Sequence, residues 1–238
     1  MTGMTARSLP PPPGIARSFA SGVADFVNNA WRFLTANLII GVLLLIMAVY
    51  VGRTPLAYLL AIPMILPIAG LMRMAVVEVR SGGARFSDFV SPMRRPWAIL
   101  ALGLAQLITM LVMWIDVVVG LGSGQLLPAV LAVGAVYLLL AIWSYSIVTW
   151  PLLLDPLHDG EPLRRRLALG VQILFAHPMR VLAFAILAGL LLALATAAIG
   201  IVVSFGLAMI WLAIANFSVA LADRFEGRLS LESEDIDE

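Results

Sequence analysis

Six apolar runs, at residues 33–51, 55–77, 97–119, 127–150, 179–199 and 203–222, are separated by short polar breaks. Each has roughly the 20 residues that a helix needs to cross hydrocarbon, so the pattern predicts six spans. The break at residues 78–97 (EVRSGGARFSDFVSPMRRPW) holds Arg80, Arg85, Arg94 and Arg95, and so much charge must lie at an aqueous face. Ahead of the first run, Val23, Phe26, Val27 and Ala30 fall at helical spacing, while Asp25, Asn28, Asn29 and Arg32 repeat it on the other side. That predicts an amphipathic helix lying on the membrane surface. Between spans four and five, Leu163, Leu167, Val171 and Leu174 form a second such stripe.

The spans differ in detail. Span two carries Pro63 and Pro67, which neighbouring helices must accommodate, so it is expected inside the bundle, kinked. Span three ends in an uncharged turn, residues 120–125. Span four ends at Pro151. Span five, with the turn after it, is rich in small residues (Ala185, Ala188, Gly189, Ala193, Ala195, Ala197, Ala198, Gly200) and is expected to pack closely. The openings of the odd-numbered spans read FVNNAWRFL, FVSPMRRPW and LFAHPMRVL. Three related helix-plus-hairpin units would produce that likeness, and so would the generic habit of interfacial helices to carry flanking arginines.

Residues 1–14, with four consecutive prolines at 10–13, are expected as a disordered tail, and the acidic stretch 227–238 as a second one. One membrane domain, 15–226, lies between them. No cleavage site follows the first apolar run, so it is expected to stay as an anchor. A hydrophobic content of 62%, a mean hydropathy of +1.02 and only 12% charged residues agree with a polytopic membrane protein and leave no room for a soluble domain. The fold class expected is therefore all-α, a bundle of about six transmembrane helices with cytoplasmic interfacial amphipathic helices.

All basic residues are arginine, and of the 15 only Arg53 falls on the face opposite the charged break. Arginine is retained on the cytoplasmic side, which predicts that both termini are cytoplasmic. Arg73, in the last turns of span two, is expected to snorkel to the same face.

Candidate chemistry is sparse. Cysteine and lysine are absent, which removes thiolate chemistry and a Ser-Lys dyad. A metal reading of Asp155, His158 and Asp159 has too few ligands for a signature, so these are expected as surface loop residues, and no cofactor is expected. Inside the spans, Gln106, Thr109, Met113 and Asp116 recur along one face of span three. With Ser144, Tyr145 and Thr149 of span four and Asn216 of span six they are candidates to line a polar cavity; the alternative is ordinary hydrogen bonding between helices. Gln106, Thr109, Asp116, Tyr145 and Asn216 make the candidate intramembrane site.

The segments AWRFLTANLIIGVLLL (30–45), IPMILPIAGLMRMAVVEV (62–79) and SGGARFSDF (81–89) resemble the YesL-like family of small bacterial multi-pass membrane proteins. The likeness rests on Asn37 with Leu38, Pro67, Gly82 or Gly83, and Phe89, and it covers the first half of the chain. It implies a protein associated with carbohydrate-uptake systems of the binding-cassette type, with no catalytic residue to carry over. The expected function is a non-enzymatic accessory or regulatory membrane protein docking through Phe86, Phe89, Arg94, Arg95, Arg164, Arg165 and Arg166. Its partners would be the lipid bilayer and importer permease subunits, or a second copy, and not nucleic acid. The alternative is a small transporter or channel using the stripe on span three.

Overall fold

The computed structural model describes residues 14–51, 61–94, 96–197 and 205–234. The described residues form helices α1 (Ile15–Asn28), α2 (Ala30–Val51), α3 (Ala61–Ser81), α4 (Phe86–Val90), α5 (Pro96–Gly122), α6 (Leu126–Leu153), α7 (Leu163–Ala176), α8 (Pro178–Ala197) and α9 (Leu207–Glu234), with short 3-10 turns at Ser91–Arg94 and Pro156–His158. No strand occurs among them, and the chain is an all-α polytopic membrane bundle. Five helices are long and apolar enough to cross a membrane, and α1 with α2, which meet at a 97° bend, pass together as a sixth.

Burial divides the helices into two sets. The membrane-length stretches of α3 and α9 are 56% and 67% buried, while those of α5 and α6 are 11% buried. The two central helices thus form the core, and the α5–α6 hairpin turns most of its apolar surface outward, as lipid-facing helices do. The proline-bearing span is accordingly inside the bundle. Pro67 lies within α3, and Pro63 falls in its first described turn. Residues 55–60 of the expected span lie outside the described residues.

Close approaches are made where side chains are small. At Gly120 a Cβ would stand 2.5 Å from the Pro128 carbonyl oxygen, which brings α5 and α6 together beside their tight turn. That turn uses Gly124 at φ +66°, a conformation open to glycine and strained for most residues. Span four runs to Leu153, past its expected end at Pro151. On α8, Ala185, Ala188 and Ala195 are buried, and the Trp143 indole donates to the Ala185 carbonyl at 2.9 Å. Phe184 of α8 stacks on Phe217 of α9 at 4.1 Å and on Phe19 of α1 at 5.1 Å, so three rings join three helices.

Three expectations need correction. Most of the polar stripe around the α1–α2 bend does not face water: Asp25 accepts from Asn216, Asn29 donates to Glu78, and Arg32 donates to the Ala84 carbonyl, while Asn28 stays exposed. Gly22 presses on the backbone of Ala213, so α1 is docked on α9 while Val23 and Val27 stay exposed. On α7 the buried face is Leu169, Gly170 and Ile173, displaced from the predicted stripe because Gly170 must sit against Thr149 of α6. Finally, α9 continues through 227–234, the start of the expected acidic tail; residues 1–13 and 235–238 lie outside the described residues.

At Gly70 a Cβ would overlap the Phe89 carbonyl oxygen, whereas one at Gly134 would meet no neighbouring element. Gly70→Ala should therefore lower stability by about 1–3 kcal/mol through overpacking. Gly134→Ala should leave it unchanged or raise it by up to about 1 kcal/mol through helix propensity. Thermal unfolding of both variants in mild detergent checks the contrast.

Candidate functional site

Only some of the candidate intramembrane residues converge. Gln106 of α5 donates to the Ser146 hydroxyl and accepts from the Trp150 indole at 2.7 Å, so its amide is held on both sides by α6. Ser146 in turn donates to the Ile142 carbonyl. A cavity of about 480 Å³ lies on one side of this cluster, lined by Met64, Ile68, Met72, Trp143 and Trp211 among others. A second of about 280 Å³ lies on the other, lined by Thr109, Tyr145, Thr149 and Leu167. Gln106, Ser146 and Trp150 belong to the walls of both cavities and form the partition between them.

The remaining members are elsewhere. Asn216 bonds Asp25 and the Leu212 carbonyl at the α1–α9 contact. Asp116 is exposed on α5 toward the end away from the charged break and lines neither cavity. Thr109 returns its hydroxyl to the Ala105 carbonyl one turn back, and the Tyr145 hydroxyl reaches the Leu167 carbonyl at 3.3 Å. The stripe on span three is thus not one continuous polar path: Gln106 is occupied by hydrogen bonds between helices and Asp116 stands apart.

A larger polar assembly lies at the charged end, and sequence reasoning missed it. Asp155, expected at the surface, is fully buried. Its carboxylate accepts from Arg80 of α3 at 2.6 and 3.1 Å and from the Leu157 backbone at 3.0 Å. The same guanidinium donates to both oxygens of Asp223 on α9 at 2.7 and 2.8 Å. His158 is also buried, with a ring nitrogen 3.1 Å from Glu226. Arg73 makes a two-pronged pair with Asp159 at 2.6 and 2.8 Å and donates to the Leu154 carbonyl. Asp155 and Asp159 are thereby committed to different arginines, and among the described residues no three His, Asp or Glu side chains gather as metal ligands. Glu78, equally buried, accepts from Asn29 and from the Ala84 backbone, which pins the glycine turn of the joint. The signal in the sequence was the charge balance at the span ends: Arg73 and Arg80 close α3, and such groups enter a bundle only with carboxylate partners.

The docking candidates separate into inward and outward groups. Phe89 is buried beneath Gly70 and belongs to the core, while Phe86, stacked on it at 5.3 Å, stays exposed. Arg166 donates to the Leu153 carbonyl and caps the end of α6. Arg94 and Arg164 are exposed, and Arg165 pairs with Glu161 at 3.3 Å in a solvent-facing bridge that contributes little. Arg95 lies outside the described residues.

Compared with family models, with curated proteins and with solved structures, the chain matches none.

Removing one member of a buried ion pair strands the other. Asp155→Ala should destabilise the protein by about 3–5 kcal/mol. Asp116→Ala, at an exposed position without a bonded partner among the described residues, should stay within about 0.5 kcal/mol of the parent. Chemical denaturation in detergent micelles, followed by Trp fluorescence, separates the two; equal losses would remove the structural rank given to Asp155.

Proposed function

We propose that this chain is a non-enzymatic accessory or regulatory protein of the bacterial plasma membrane, with its charged end in the cytoplasm, acting on another integral membrane protein. The observation that supports this most is the division of labour among its polar groups. Gln106, the central group of the intramembrane stripe, is taken up by bonds to α6 and Thr109 by its own helix, whereas Phe86, Arg94, Arg164 and Arg165 remain exposed at the charged end. Exposed aromatic and arginine side chains are the types favoured at protein contacts. The resemblance to YesL-like proteins points to a carbohydrate-importer permease as the partner.

One observation favours a second reading, a small transporter. Gln106, Ser146 and Trp150 form the shared wall of the two cavities, so a shift of that trio would join them. Its test is Gln106→Ala in reconstituted vesicles: a transporter changes its uptake of small saccharides severalfold, and an accessory protein shows none before or after.

The docking reading predicts that gentle extraction with a C-terminal tag brings down permease subunits near stoichiometry. Combined replacement of Phe86, Arg94, Arg164 and Arg165 by Ser or Gln should release them while the protein stays folded. Extraction of the chain alone, or a partner retained by the quadruple variant, would contradict it.

A further inference from the structure

At the charged end a cleft of about 410 Å³ opens between the Ser91–Arg94 turn, the start of α5, the end of α6 and the start of α7. Its walls carry Arg73, Arg94 and Arg166 against a single acid, Asp159, a formal balance of three positive charges to one negative. Asp159 is already spent on Arg73, so an anion entering the cleft meets Arg94 and Arg166 without a competing carboxylate. The Nε–H groups of Arg73 and Arg166 are buried and have no hydrogen-bond partner among the described residues.

Backbone adds to this positive field. Ala98 and Ile99 line the cleft from the first turn of α5, and Leu163 from the first turn of α7. The N–H groups of a helix's first turn have no partner inside the helix, and the helix dipole is positive there. On α7 no side chain caps them, since the N-cap residue is Pro162. Two helix starts, a serine hydroxyl and three guanidinium groups therefore converge on one concave site. That is the donor set that phosphate groups select, because arginine and helix N-termini both present N–H donors to tetrahedral oxyanions.

The level of the cleft in the bilayer identifies the source of the phosphate. Trp97, next to Ala98, is 80% exposed, and an exposed indole at the first turn of a spanning helix marks the headgroup region. About three to four turns further along α5 the surface is apolar and outward-facing, with Ile108, Leu111 and Val112 available to an acyl chain. We propose that this cleft binds a phosphate ester, held as the headgroup of an anionic membrane lipid whose chains lie along α5. This site needs no protein partner and shares only Arg94 with the docking surface.

The test uses the purified full chain, offered equal amounts of phosphatidylglycerol and phosphatidylcholine, with retained lipid read by native mass spectrometry. The parent should retain phosphatidylglycerol preferentially. Arg94→Gln should cut that preference about tenfold, the effect of losing one charge-assisted hydrogen bond, whereas Arg17→Gln, an equal loss of charge on the exposed face of α1, should leave it in place. Equal losses in the two variants, or a parent that enriches neither lipid and binds no glycerol phosphate, would overturn the site. A parent that enriches neither lipid but binds glycerol phosphate in an Arg94-dependent way would overturn the lipid assignment and make the site one for soluble phosphate esters.

Discussion

A carboxylate buried at the end of a membrane bundle is tolerable only if a cation meets it with its hydrogen bonds filled, and Asp155 sets that condition for the whole charged end. Arg80 satisfies it from α3 and uses the rest of its fork on Asp223 of α9. One guanidinium thus ties the two most buried helices to the chain leaving α6. Arg73 with Asp159, and His158 with Glu226, extend the same face over further contacts between these elements. Because burial raises the cost of an unpaired partner, these bonds oppose any shift in the relative register of α3, α6 and α9. Glu78 repeats the principle beside it, tying α1 and the glycine turn to α3.

With that end held, the rest of the molecule can be read as consequence. The bonds made by the inward-facing arginines leave Arg94 and Arg164 outward, and the burial of Phe89 leaves Phe86 as the exposed ring of its stack. Further into the bundle the polar contacts among the described residues are small and local: Gln106 between Ser146 and Trp150, and Asn37, whose side-chain oxygen caps the first turn of α9 at the Ala208 amide. This arrangement concentrates electrostatics at one face and packing everywhere else.

The apolar runs were legible because hydrocarbon thickness imposes a length and because span boundaries coincide with proline, glycine and arginine. Span two was placed inside correctly from its prolines alone. What was not legible was pairing across long sequence distances: Asp25 with Asn216, or Arg80 with Asp223, leaves no local pattern. Phe89 and Asp155 were misjudged for a related reason. An aromatic in a charged stretch and an acid in a loop both read as surface groups, and only the closeness of Gly70 and Arg80 in space makes them interior. The candidate stripe on α5 failed at Asp116 because helical spacing puts residues on one face without saying that a neighbour covers all of it.

The most direct measurement is a double-mutant cycle between Arg80 and Asp155, replaced singly and together by Met and Ala, with unfolding free energies read in one detergent. If the pair organises the charged end, the double variant should be more stable than the sum of single losses predicts, with a coupling of about 1–3 kcal/mol. Losses that add to within about 0.5 kcal/mol would show that the two side chains do not act as a unit, and the claim that this ion pair fixes the bundle would be wrong.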